Sequence, residues 1–104
     1  MRIPKNRAPI HPGEILLEEF LKPAGISQYR LSKDTAMSYP RINEIVKCRR
    51  PVTLDTAFRL ARYFGTSPGL WTNMQTAWDL WHFQKSKDFK GIQKIEPAEE
   101  MVGA

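Results

Sequence analysis

The sequence predicts an all-α fold of five helices in one domain. Apolar residues recur at helical spacing along most of the chain. Residues that open helices (His11-Pro12, Ser27, Ser38, Thr53, Ser67-Pro68) alternate with residues that stop them (Pro23, Gly25, Pro51, Gly65). The 104 residues, 41% hydrophobic and 26% charged, have ordinary globular composition and the length of a single domain.

Residues 1–10, with Pro4 and Pro9, read as an extended arm. Helix one opens at Pro12, whose fixed φ suits a first helical position, and Glu14 sits where the helix dipole favours an acid. It runs to about Lys22, with Ile15, Leu16, Phe20 and Leu21 as an inward stripe, and Pro23 and Gly25 stop it. Ser27 caps a short helix two over 28–35. Ser38 caps helix three over 39–48, where Pro40 is tolerated because first-turn N–H groups have no intrahelical partner. Ile42, Ile45 and Val46 then face inward, so Tyr39, Arg41, Asn43 and Lys47 face out, and Pro51 breaks the chain. Thr53 caps helix four over 54–64, with Leu54, Ala57, Phe58, Ala61 and Phe64 at helical spacing and Gly65 as its stop. Ser67-Pro68 opens helix five, which runs to about Lys85. Residues 11–85 form the domain, and the polar stretch 86–104, with Gly91 and Pro97, reads as a loosely ordered tail.

Charge is unevenly placed. Residues 1–50 hold ten Lys/Arg and five Asp/Glu, whereas 51–104 hold six of each, so the whole net charge of +5 lies in the first half. A one-sided basic balance suits a polyanion partner. No apolar run reaches the roughly 18–20 residues of a membrane span. The start, MRIPKNRAPIHPGE, lacks the apolar stretch of an export signal. A single cysteine makes no internal disulfide and fits a reducing cytoplasm. A chain this short buries somewhat over ~60% of its unfolded surface, which leaves part of its stability to a partner.

Two short helices joined by a three- or four-residue turn, the second basic and polar on its outer side, are what a helix-turn-helix needs. The second helix fits a major groove about 12 Å wide and turns its first residues toward base edges. Tyr39, Pro40, Arg41 and Asn43 lie at that end; Arg41 suits guanine, and Asn43 suits adenine or a phosphate. Ser27, Gln28 and Ser38, at helix starts, suit phosphate oxygens. Lys47, Arg49 and Arg50, at the far end, suit the DNA backbone. The plain alternative for each is a solvated face with ordinary caps.

Three segments carry a family resemblance: HPGEILLEEFLKPAGIS, then SQYRLSKDTAMSYPRINEIVKCRRPVT, then DTAFRLARYFGTSPGLWTNMQTAWDLW. Together, over about residues 10–82, they resemble the HigA antitoxins, also called the virulence-associated protein I or antidote-protein family, with a helix-turn-helix of the Xre/Cro type. The resemblance implies a five-helix, lambda-repressor-like domain with a C-terminal dimerisation helix. It also implies binding to its own operator DNA, and neutralisation of HigB, a small ribosome-dependent mRNA-cleaving toxin. The sequence departs from the family at Ala36 and Cys48, where glycines are usual, at Ser32, where a small alanine is usual, and at Tyr39-Pro40, an unusual start for a recognition helix. Alanine or cysteine at positive φ costs on the order of 1 kcal/mol.

Leu70, Trp71, Met74, Trp78 and Trp81 form a wide stripe on helix five. It reads as core, with some of it as a self-complementary homodimer interface, since three tryptophans are many to hide in so small a domain. A dimer also suits half-sites about 34 Å apart. An enzyme is the less favoured class. His11 and His82 are expected at opposite ends of the fold, Glu14, Glu18 and Glu19 read as a solvated acidic face, which can alternatively meet a basic toxin, and Cys48 has no base beside it. Arg49 and Arg50 would mildly acidify its thiol. No metal-ligand spacing, phosphate loop or nucleophile motif is present, so no cofactor, metal or small-molecule substrate is expected.

Overall fold

A computed structural model describes residues 8–99 of the chain, and these are helical with no strand among them. α1 has three contiguous pieces: α-helical Pro12–Ile15, π-helical Leu16–Leu21 and α-helical Lys22–Ala24. Then come α2 (Gln28–Thr35), α3 (Tyr39–Val46), α4 (Leu54–Phe64), α5 (Pro68–Phe83) and α6 (Lys87–Ile92). Of the expected arm, residues 8–10 are non-helical, and 1–7 lie outside the described residues.

The wide turn of α1 has a sequence cause. Lys22 N–H donates to the Leu17 carbonyl five residues back instead of four. Leu16 and Leu21, five apart, are both buried to within 1% of their surface. A regular helix turns about 100° per residue, so a spacing of five leaves an α-helical stripe drifting off line, and the π turn corrects it.

The core is built from Leu16 and Leu21 of α1, Leu31 of α2, Ile42 and Ile45 of α3, and Leu60 of α4, closed by Trp71 of α5. Helix ends follow the expected caps: Ser27, Ser38, Thr53 and Ser67 each accept a hydrogen bond from the N–H three residues on. Two features differ from expectation. α3 stops at Val46, two residues short of the expected 48, because Cys48 takes a left-handed φ of 61°. There Cys48 N–H returns to the Ile45 carbonyl (2.9 Å) and Arg49 N–H to the Glu44 carbonyl (2.8 Å), a closed C-terminal motif that glycine usually makes. A sixth helix also stands inside the expected tail. Ser86 caps it by accepting from Phe89 N–H (3.2 Å), and Phe89 packs edge-on against Phe83. Residues 100–104 of that tail lie outside the described residues.

Candidate nucleic-acid interface

The turn between α2 and α3 spans Ala36, Met37 and Ser38. Ala36 adopts φ 56°, and Met37 is buried as an anchor. The Ser32 hydroxyl donates to the Met37 carbonyl (2.6 Å), so this departure from the family's alanine ties the turn down. From α4, Arg59 donates to the Thr35 carbonyl at the end of α2 (2.8 Å). With Ile42, Ile45 and Val46 inside, α3 exposes Tyr39 and Pro40 at its first turn.

Most of the expected DNA-facing residues meet at this surface. Ser27 and Ser38 spend an oxygen lone pair on their caps, accepting from Arg30 and Arg41 N–H (3.0 and 3.3 Å), and each hydroxyl proton stays available to donate. Asn43 donates to the Gln28 side-chain carbonyl (3.0 Å), which joins the two helices and fixes both amides. Lys47 and Arg49 are exposed and have no ion pair among the described residues. Arg50 is held at 2.8 Å by Glu44, with both side chains half exposed.

Arg41 does not stand where the sequence placed it. Its guanidinium folds back to Asp55 (2.7 Å) and the buried Thr56 hydroxyl (2.5 Å) at the start of α4. The N-terminus of α4 carries these acceptors fourteen and fifteen residues downstream, beyond the reach of local sequence reasoning. Asp55 also accepts from Arg59 (2.8 Å). Hydrogen bonds from Arg59 and then Arg41 hold its carboxyl below the usual aspartate range.

The other end of α3 rests on α1. The His11 Nδ1 accepts from Gly13 N–H at 2.9 Å, which caps α1 from a buried position. A Cβ at Gly13 would come within 1.7 Å of the Ile45 carbonyl oxygen, so α1 and α3 touch backbone to backbone there. The following loop is pinned by Gln75, which accepts from Val52 N–H (2.7 Å) and donates to Asp79 (2.8 Å). Asp55, Thr56, Glu44 and Gln75 are supporting residues that the sequence did not single out.

Three further expectations change. His11 and His82 are not at opposite ends of the fold. Both lie against the Trp78 ring, with centroids 5.1 and 3.8 Å away, because the start of α1 packs on α5. Burial lowers the His11 pKa; Asp79 opposes this, and His82 adds to it. The Cys48 thiol is pushed up, not acidified, by burial and then by the charge of Glu14. On α5, Trp71 is fully buried and donates to Thr66 Oγ1 (2.9 Å), so it belongs to the core and not to a dimer interface. Met74 packs on that core, while Trp78 and Trp81 are half-buried and Leu70 is exposed. Glu18 pairs with Lys22 (2.9 Å) on the exposed side of α1. Among the described residues no group of three His, Cys, Asp or Glu side chains is placed to hold a metal ion.

Comparison with known proteins bears on this surface. A family model described as "Helix-turn-helix" matches residues 17–71. The chain is 58% identical over 83 residues to virulence-associated protein I of Dichelobacter nodosus, with 77% of each chain covered. It is similar in structure to the Pseudomonas aeruginosa antitoxin HigA solved with the higBA promoter, at TM-score 0.79 and 40% identity, covering 86% of this chain and 97% of that one. It is also similar to the antitoxin GraA solved in complex with its operator, at TM-score 0.80 and 35% identity, covering 93% of this chain and 98% of that one.

Proposed function

This chain belongs to the helix-turn-helix family, and on that premise we propose that it is an antitoxin that represses its own operon. The observation that carries this reading is the first turn of α3. It is capped by Ser38, exposed at Tyr39 and Pro40, and continued by an exposed cationic end at Lys47 and Arg49. Its relatives of the same fold include an antitoxin seen with its promoter and one seen with its operator.

In this reading a homodimer binds double-stranded operator DNA in the cytoplasm. Tyr39, Pro40 and the Gln28–Asn43 pair meet the groove. The Ser27 and Ser38 hydroxyls donate to phosphate oxygens, and Lys47, Arg49 and Arg50 grip the backbone. Arg41 is a positioning residue that ties the reading end of α3 to α4. The chain covers a HigB-like mRNA-cleaving toxin by direct binding, which the antitoxin relatives support. Catalysis, cofactors and small-molecule substrates have no part in it.

Two measurements test the reading. Fluorescence anisotropy with duplex DNA from upstream of its own coding sequence should show tighter binding than with scrambled duplex. Affinity should fall with salt, with a log–log slope of about −0.9 for each phosphate neutralised. Co-expression with the small open reading frame beside it should restore growth. Equal affinity for both duplexes removes the repressor role. If that neighbouring product is harmless, the chain is a stand-alone repressor.

A further inference from the structure

Arg41 is the one cationic residue of α3, and its guanidinium is engaged elsewhere. Both of its bonds to α4 leave from a single nitrogen, Nη2, which donates to Asp55 Oδ1 (2.7 Å) and to the Thr56 hydroxyl (2.5 Å). An arginine pairs bidentately with guanine through two adjacent N–H groups, either Nε with Nη2 or Nη1 with Nη2. Nη2 belongs to both forks, and its two protons are spent. The N–H groups left on Nε and Nη1 are not adjacent and make no fork. We propose that Asp55 shapes the base preference of this chain by withholding Arg41, so that the groove is read by Tyr39, Pro40 and the Gln28–Asn43 pair without a guanine-seeking cation. This rests on the operator-binding reading above and names a residue that sets its specificity from outside the groove.

An exposed ion pair alone holds a side chain weakly. This one has two supports. Asp55 lies in the first turn of α4, where the helix dipole favours an acid. Its Oδ1 also accepts from Arg59 (2.8 Å), which donates in turn to the Thr35 carbonyl at the end of α2 (2.8 Å). The carboxylate is therefore fixed between two arginines, one of them anchored on backbone. The second support is Thr56, which is buried, so that release of Arg41 takes a donor from a buried hydroxyl. Exposure agrees: the Arg41 side chain is 23% exposed, against 62% for Arg30, whose acid Asp34 lies one turn along its own helix.

Released, Arg41 has the place and the chemistry to read. It follows directly on Tyr39 and Pro40, which are exposed at the end of α3 that meets base edges in a helix-turn-helix. A free guanidinium in the major groove favours guanine, which offers N7 and O6 side by side. The acid at position 55 thus removes a guanine preference that α3 by itself would confer. Lys47 and Arg49, exposed past the other end of α3, suit phosphates, which carry no base identity.

Affinities of the full chain for a series of duplexes decide the matter, each duplex being the sequence upstream of its own coding region with one base pair replaced. Wild type and Arg41→Ala should give the same base profile. Asp55→Ala should gain about tenfold for guanine at one position, the scale of one bidentate contact. The Arg41→Ala/Asp55→Ala double variant should lose that gain. Comparison between duplexes cancels the uniform rise in affinity that follows from removing a negative charge. Asp55→Asn, which keeps the shape of the side chain, should show a smaller gain at the same position, and it replaces Asp55→Ala if the latter loses its helical circular dichroism. A folded Asp55 variant with the wild-type profile, or a gain that persists without Arg41, overturns the role of Asp55 while operator binding stands. If the wild type binds upstream and scrambled duplex equally, the operator-binding reading falls and this proposal falls with it.

Discussion

The two ends of α3 are held by different kinds of contact. At the C-terminal end, α1 meets it backbone to backbone, with Gly13 against the Ile45 carbonyl, and no side chain can flex to relieve a misfit. At the N-terminal end, side chains hold it: Arg41 to Asp55 and Thr56, and Asn43 to Gln28. The first end sets where the helix lies. The second holds it with side-chain hydrogen bonds, which can adjust where backbone contact cannot. In the proposed reading a helix that meets bases with its first turn gains from this division, because register is fixed at one end and adjustability sits at the other.

The difference can be broken at its rigid end first. Gly13→Ala puts a methyl into the Ile45 carbonyl and should cost about 3 kcal/mol, the upper range for overpacking, measured by urea unfolding. A cost under about 0.5 kcal/mol would mean that the end is not rigid. Acid should loosen the same end. The His11 pKa is lowered from its ordinary 6.5 in the folded chain, chiefly by burial. The unfolded chain therefore binds the proton more readily. The stabilisation is complete above the ordinary histidine pKa and is lost as pH falls through the lowered one. Thermal melts should show this loss on acidification, and His11→Asn, which keeps a capping oxygen, should reduce it.

The adjustable end should respond more mildly. Arg41→Ala removes the donor to the Thr56 hydroxyl and should cost about 1 kcal/mol. Because the guanidinium points to α4, the ratio of operator to scrambled affinity should stay unchanged. A drop in that ratio by about tenfold or more, the scale of a lost bidentate base contact, would return Arg41 to the groove. The smallest effect is expected at Cys48→Gly. Relief of the left-handed backbone is partly offset by the greater freedom of unfolded glycine, for a net gain of about 0.5 kcal/mol.

What could be read from the residues alone divides along similar lines. Helix starts were legible because a cap is a local bond: Ser27, Ser38, Thr53 and Ser67 each act on the N–H three residues away. The left-handed turns at Ala36 and Cys48 were flagged by the family's glycines. The partner of Arg41 was not legible, since Asp55 and Thr56 come to it only through tertiary folding. For the same reason His11 and His82, 71 positions apart in the chain, share one tryptophan face. The stripe on α5 misled because periodicity shows which residues share a side but not what covers them. Trp71 is covered by the chain itself, and Leu54 and Phe58 of α4 are not. The helix at Lys87–Ile92 escaped notice because six residues, one of them Gly91, carry almost no periodic signal.

The π turn between Leu16 and Leu21 gives this rod one residue of slack. Deleting one residue there would restore the ordinary pitch and leave the two leucines four apart, about 400° around the axis, so that both would still face the interior. A further insertion has no such slack: at ordinary pitch it would swing everything downstream in that rod by about 100° and carry Leu21 out of the interior.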